Sequence, residues 1–179
     1  MTIIAALHEP SVGTWIGSDR LSVARNRIAP FAREKWSIAG SHAVAFAGAG
    51  RANDLMRRWV RETNFATFAD PLDVATALRD ALKADEWGAL KNSGDPLSFD
   101  VEALYASQRG AWDIDAGFSI NGVDAGVLVA RGSGIEYAYG AAHALRGRPA
   151  ETVLRAAIDA AIAHDTGCGG EPFIHLLKP

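Results

Sequence analysis

The chain contains 179 residues, and 49% of them are hydrophobic against 22% charged, which predicts a folded globular protein. This length is typical of one domain, so we expect a single domain over residues 1–179. The formal net charge of -3 gives no excess of basic side chains to neutralise phosphates, which argues against nucleic acid as a partner.

The first part of the chain is predicted to form β-hairpins. An apolar, β-branched run over 2–7 and a second run over 14–19 are separated by turn-forming residues, which is typical of a hairpin. A second hairpin is predicted from the runs over 35–38 and 42–46, because the three residues between them form a short turn.

Beyond residue 50 the hydrophobic spacing changes from two to nearly four, which predicts two successive helices. The apolar face of the first helix consists of Leu55, Met56, Trp59 and Val60. We expect this face to serve packing or subunit assembly. The second helix is predicted to begin at Pro71 with Asp70 as its N-cap, and the Gly-, Asn- and Pro-containing stretch over 88–98 is predicted to be a loop.

The second half repeats the alternation of strands and helices. Strands are predicted at 101–107, 111–120 and 125–130. A short helix over 135–146 and a longer one opened by Pro149 follow, and a last strand is predicted at 173–177. This order fits a layered α+β domain with helices on the outer faces of packed sheets.

Cysteine content and the start of the chain indicate the compartment. Cys168 is the only cysteine, which excludes an intrachain disulfide, and the histidines lack metal-ligand spacing, so we predict no metal and no cofactor. The first residues lack the features of a signal peptide, and no apolar run is long enough to span a membrane. We therefore expect a cytoplasmic protein with no membrane partner.

The candidate chemistry centres on Thr2. Initiator methionine is generally removed when the second residue is small, and its removal leaves a threonine with a hydroxyl and a free α-amine. Such a residue carries a nucleophile and its own base, since an α-amine titrates near ~7.7 to 8.0. Alone this signal is weak, because many proteins begin with Met-Thr.

The surroundings of Thr2 resemble a known family. Segment 1–6, followed by Gly-Ser-Asp-Arg around Asp19, resembles the opening of proteasome β-subunits and their simple bacterial ring-forming relatives, which are N-terminal-nucleophile hydrolases. The hairpin here is about one residue longer than is usual in the family. Lys35 follows Asp19 at the spacing of the family's catalytic lysine.

Three further motifs continue the resemblance in order. Phe-Ala-Gly ending at Gly48 resembles the glycine turn whose amide forms the oxyanion hole, although Ala49 fits with a one-residue shift. Gly-Ser-Gly around Ser133 matches the family's motif of the same letters. The segment from Asp165 resembles Asp-x-x-Ser-Gly-Gly, with Cys168 in place of serine. Cysteine is a weaker hydrogen-bonding group than serine.

The resemblance implies a catalytic role for seven residues, which are Thr2, Asp19, Lys35, Gly48, Ser133, Asp165 and Cys168. Lys35, kept charged by Asp19, is expected to lower the proton affinity of Thr2. The Gly48 N–H is expected to stabilise the oxyanion. Ser133 and Asp165 are expected to orient the amino terminus by hydrogen bonds, and Cys168 replaces the serine of that network. The implied substrate-binding residues are Val23, Ala45 and Ala49.

The resemblance also implies fold, assembly and substrate. It implies the four-layer αββα sandwich, self-association into a ring, and hydrolysis of peptide bonds in unfolded proteins or peptides. An ATP-dependent unfoldase would be a further partner, which no sequence feature identifies.

Three functions remain open from the sequence. The first is a threonine peptidase of a ring, which requires loss of Met1. The second is an inactive relative that keeps the fold for assembly or binding, and the third is an amidohydrolase acting on a small molecule. Judged singly, Asp19 and Lys35 fit an ordinary ion pair and Cys168 a small buried apolar residue. Only the ordered set of motifs supports catalysis.

Overall fold

The computed structural model describes residues 2–24, 27–29, 34–48, 50–84 and 101–178. The strands are β1 (Ile4–Glu9), β2 (Gly13–Ser18), β3 (Ser22–Ala24), β4 (Arg27–Ala29), β5 (Trp36–Ala39), β6 (His42–Gly48), β7 (Val101–Ser107), β8 (Gly110–Ile114), β9 (Ile120–Gly122), β10 (Leu128–Arg131) and β11 (Phe173–Leu177). The helices are α1 (Gly50–Glu62), α2 (Pro71–Ala84), α3 (Ile135–Ala144) and α4 (Ala150–His164), with a 3₁₀ turn at Phe65–Thr67. The loop predicted over 88–98 lies outside the described residues.

Two antiparallel sheets form the centre of the fold. The first sheet has the strand order β10-β1-β2-β11 and the second has the order β5-β6-β7-β8-β9, while β3 and β4 pair with each other. Both predicted hairpins are confirmed, as β1–β2 in the first sheet and β5–β6 in the second. The β1–β2 register places Ile4 opposite Ser18, so the start of β1 lies beside the end of β2.

Strand β1 lies at the middle of the layered core and is buried on both faces. Ile3, Ala5 and Leu7 pack in the layer between the first sheet and helices α3 and α4. Ile4 and Ala6 pack in the layer between the two sheets. Because both faces are covered, the strand reads as a continuous apolar run rather than as an alternation.

Helices α1 and α2 cover the outer face of the second sheet. Leu55, Met56 and Val60 are buried in this layer, and Trp59 is partly buried against it. This face therefore packs within the chain and is not available for subunit assembly. With α3 and α4 on the other side, the fold is the predicted four-layer αββα sandwich. None of the described helices is long and apolar enough to cross a membrane.

The N-terminus of α2 is confirmed in detail. The Asp70 carboxylate accepts hydrogen bonds from the Leu72 N–H at 2.7 Å and the Asp73 N–H at 3.3 Å. It thereby satisfies two amides that have no partner within the helix. Pro71 is the first helical residue, as predicted.

The strand predicted over 111–120 is wrong as a single element. The Asp115 carboxylate accepts hydrogen bonds from the Gly117 and Ser119 N–H groups, and Phe118 has a φ of 64°. This Asx-type turn ends β8 at Ile114, and β9 begins only after it. The strand predicted over 125–130 likewise begins later, at Leu128, and the β3–β4 hairpin was not predicted.

Candidate active site

Thr2 lies two residues before β1, and its backbone is held by the loop between β10 and α3. The Thr2 N–H donates to Ser133 Oγ at 3.2 Å, and the Thr2 carbonyl accepts from the Gly134 N–H at 3.3 Å. Gly132 has a φ of +110°, and a Cβ there would lie 2.2 Å from the Thr2 carbonyl oxygen. Only glycine permits this approach, so the motif around Ser133 clamps Thr2.

Asp19 follows β2 and forms the centre of the site. It is fully buried. Its Oδ1 accepts hydrogen bonds from Thr2 Oγ1 at 3.0 Å, the Ile3 N–H at 2.9 Å and Lys35 Nζ at 2.5 Å. Its Oδ2 accepts from the N–H groups of Leu21 and Gly169. The predicted Asp19–Lys35 pair is confirmed, and the Thr2 hydroxyl shares the same carboxylate oxygen.

Lys35 precedes β5, and its side chain is only 13% exposed. Burial lowers the pKa of Lys35 below its usual 10.5, and the attraction and hydrogen bond of Asp19 oppose this shift without cancelling it. We expected Asp19 to decide the charge of Lys35, but burial decides the direction of the pKa shift. A lysine with a lowered pKa beside a hydroxyl is typical of a functional site.

A second carboxylate supports the loop that holds Thr2. Burial on its own raises the pKa of Asp165, but hydrogen bonds from Ser133, the Gly167 N–H and Cys168 outweigh it, so this pKa lies below its usual value. The residue is therefore a carboxylate at neutral pH. Its contact with Ser133 connects it to the Thr2 nitrogen.

Cys168 is a buried thiol that supports Asp165. Its Sγ donates to Asp165 Oδ2 at 3.3 Å. Burial, followed by the negative charges of Asp19 and Asp165, raises the pKa of Cys168 to about 12. The thiol therefore stays protonated and acts as a donor, not as a nucleophile.

The remaining sequence candidates lie around this network with roles that stay predictions. Gly48 ends β6 in an exposed position with a φ of 139°, which requires glycine. Ala49 lies outside the described residues. Val23 lies in β3, opposite Ile28 of β4. Ala45 is fully buried between the two sheets, so its side chain has no exposed surface for a substrate.

Sequence reasoning missed the backbone groups that complete the site. Gly134 was not assigned a role, yet a Cβ there would lie 2.7 Å from Ala161 Cβ and 3.0 Å from Cys168 Sγ. Gly169 was included in the motif that begins at Asp165 without a role of its own, yet its N–H donates to Asp19. The glycine-rich motifs were the available signal. Among the described residues no group of His, Cys, Asp and Glu could hold a metal ion.

The layered fold, with two antiparallel sheets between two pairs of helices, is the fold of proteasome-like proteins. The chain is similar to the solved structure of Thiobacillus denitrificans BPH, with a TM-score of 0.76, 23% identity and coverage of 100% of both chains. A structure of the same protein in complex with epoxomicin matches with the same TM-score and identity, covering 99% of this chain and 100% of that one.

A eukaryotic HslV from Trypanosoma brucei is also similar, with a TM-score of 0.72, 21% identity and coverage of 99% of both chains. No family model matches the chain, and no curated protein is significantly similar to it in sequence. At these low identities the structural likeness shows the fold.

Proposed function

We propose that this chain is a threonine-type peptidase in which Thr2, exposed as the amino terminus by removal of Met1, is the nucleophile. The observation that carries the proposal is the shared Asp19 oxygen, which contacts both Thr2 Oγ1 and Lys35 Nζ. The Thr2 hydroxyl and the Lys35 side chain are thereby held next to each other in a buried site, where a charge interacts with its neighbours more strongly than in water. Such a hydroxyl needs only a base to become a nucleophile.

The α-amine released by processing supplies that base. The Thr2 nitrogen lies 3.2 Å from Ser133 Oγ, and the Ser133 hydroxyl donates to the Thr2 carbonyl at 3.4 Å. These contacts orient the amine, which takes the hydroxyl proton, through a water, as Oγ attacks the substrate carbonyl carbon. The charged form of Lys35 lowers the proton affinity of both groups.

The remaining steps are the formation and breakdown of the tetrahedral intermediate and the hydrolysis of the ester on Thr2. The carbonyl electrons move to oxygen, and the Gly48 N–H is the proposed donor to this oxyanion. As the intermediate collapses, the C–N bond breaks and the leaving amine receives the proton held by the α-amine. The ester formed on Thr2 is then hydrolysed by water, which regenerates the hydroxyl and releases a carboxylic acid.

Peptides are the substrates that we favour, and a ring of identical subunits is the assembly. The sequence motifs resemble those of ring-forming proteasome relatives, and the fold is shared with BPH and HslV. One of the similar structures is a complex with epoxomicin, so epoxomicin is a suitable probe of the site. We expect it to inhibit this chain and the purified protein to elute as a ring-sized oligomer. A monomer at micromolar concentration would contradict the ring.

Substitution of the nucleophile tests the proposal. Thr2→Ala should abolish hydrolysis of fluorogenic peptide reporters, while Thr2→Ser should keep part of it because it retains hydroxyl and amine. Thr152, exposed on α4, provides a matched control, and Thr152→Ala should behave like the parent. A Thr2→Ala variant that hydrolyses the reporter at the parental rate would exclude Thr2 as the nucleophile.

The same assay distinguishes the two alternatives. An inactive scaffold would hydrolyse no reporter, even with Met1 shown to be absent by intact-mass measurement. A small-molecule amidohydrolase would hydrolyse simple amides in a Thr2-dependent way and leave peptides uncut.

A further inference from the structure

Arg131 connects the two sheets beside the candidate active site. It is the last residue of β10, in the first sheet. Its Nε donates to Asp113 Oδ1 at 2.6 Å, and its Nη2 donates to Asp113 Oδ2. Its Nη1 lies 3.5 Å from Glu102 Oε1. Asp113 and Glu102 belong to β8 and β7 of the second sheet, so the guanidinium spans the gap between the sheets with a two-pronged contact.

The Arg131–Asp113 contact lies at the start of the loop between β10 and α3, which holds Thr2. Arg131 is directly followed by Gly132, and the β1–β10 register places Arg131 opposite Ile4. Among the described strands, β10 is at the edge of its sheet and pairs with β1 alone. On the other side of β10, the Ala130 N–H donates a hydrogen bond to the Tyr139 hydroxyl at 3.3 Å. An edge strand with one partner needs such additional contacts to fix its end.

We propose that Arg131 is a positioning residue for the peptidase reaction. Its two-pronged contact with Asp113 fixes the end of β10, and through it the placement of Ser133 Oγ against the Thr2 nitrogen. The inference rests on the proposed function, because it assigns the Thr2 nitrogen the role of base. A misplacement of about 1 Å in such a group costs up to about 100-fold in rate.

The geometry of the contact decides which substitutions matter. The hydrogen bond that Arg131 donates to Asp113 is the main cause that raises the pKa of Arg131, so the guanidinium stays charged at all working pH values. Its planar fork fixes both distance and direction, whereas a lysine would keep the charge but donate from a single nitrogen. Arg131→Lys should therefore impair the reaction nearly as much as Arg131→Met.

The kinetic test compares five variants with the parent on a peptide reporter. Arg131→Met, Arg131→Lys and Asp113→Asn should each lower kcat about 10-fold or more, with KM within about twofold, because substrate binding is untouched. The double variant Arg131→Met/Asp113→Asn should be no slower than the single variants, since each substitution removes the Arg131–Asp113 contact. Arg155→Met, which breaks the exposed Arg155–Glu151 pair on α4, should retain the parental kcat. An unchanged kcat in the Arg131 variants would overturn the inference.

The pH profile adds a readout that a purely structural role would not change. If Ser133 orients the amine, Arg131→Lys should displace the acid limb of the kcat/KM profile, which reports the amine of the free enzyme. The same limb should stay in place for Arg155→Met. An acid limb that does not move in Arg131→Lys would contradict the positioning role.

Hydrogen exchange tests the contact without relying on activity. The Gly134 N–H is protected by the Thr2 carbonyl, and its exchange should accelerate about 10-fold or more in Arg131→Met but not in Arg155→Met. If the parent proves to be inactive, the proposed function fails while this measurement still decides whether Arg131 holds the loop. Unchanged exchange would reject the inference even in an active enzyme.

Discussion

Substitution of Lys35 by methionine should leave Asp19 as a buried carboxylate without its cation. Asp19 has no exposed surface, and the Lys35 side chain is 13% exposed. Removing one partner of a buried ion pair costs about 3–5 kcal/mol, because the remaining charge is uncompensated. The hydrogen bonds to Asp19 from Thr2, Ile3, Leu21 and Gly169 remain. We therefore expect the lower end of that range, about 3 kcal/mol.

The loss is measurable by thermal unfolding at a fixed protein concentration. For a chain of this length, about 3 kcal/mol corresponds to a Tm lower by roughly 6–12 °C. Adding Asp19→Asn to Lys35→Met removes the stranded charge and should restore part of the Tm, although hydrolysis stays absent in both variants. Arg155→Met, which breaks an exposed pair, should stay within about 0.5 kcal/mol of the parent.

The Tm of the double variant shows whether uncompensated charge or hydrogen-bond geometry causes the loss of stability. A parental Tm in Lys35→Met would show that Asp19 does not depend on Lys35 for compensation. A double variant less stable than Lys35→Met would show that hydrogen-bond geometry, rather than uncompensated charge, dominates. Either result would refute the reasoning.

Three further predictions concern the same site. The value of kcat/KM should fall as pH rises through the lowered pKa of Lys35, because only the charged form of Lys35 assists Thr2. Lys35→Arg should move this alkaline limb to higher pH, and an unmoved limb would show that Lys35 is not the group that titrates. Cys168→Ser should change kcat less than about threefold, since a hydroxyl donates at least as well as the thiol; total loss would contradict this. Gly132→Ala should destabilise by about 2 kcal/mol or more in denaturant unfolding, whereas Gly140→Ala, with nothing within 4 Å, should be neutral or stabilising; equal effects would contradict the close approach at Gly132.

Local patterns predicted most of the fold, because neighbouring residues determine hairpins and helix starts. The Asp70 cap is one example, since a carboxylate before Pro71 satisfies free helix amides whatever else surrounds it. The turn after Ile114 escaped prediction because apolar residues keep alternating with polar or small ones through Ile120, while the Asp115 side chain and the positive φ of Phe118 form the turn.

The site was predictable where side-chain type carries the chemistry. Thr2, Asp19 and Lys35 were assigned from the resemblance of their motifs to those of a known family, and the structure brings them together. The roles of Gly134 and Gly169 were not predicted because their backbone amides form the contacts. A glycine in the sequence indicates only that a side chain would not fit at that position. Arg131 escaped because its partner belongs to the other sheet, and the sequence does not specify which charges meet across a layer.

One mass spectrum tests the central claim, that the Thr2 hydroxyl attacks the substrate after Met1 is lost. The purified protein would be mixed with a slowly hydrolysed activated peptide ester, quenched in acid during turnover, and mapped by peptide mass. We expect a protein without Met1 that carries the acyl group on Thr2, and no acyl group on the Thr2→Ala variant. Turnover by a protein that keeps Met1, or an acyl group on any other residue, would contradict it.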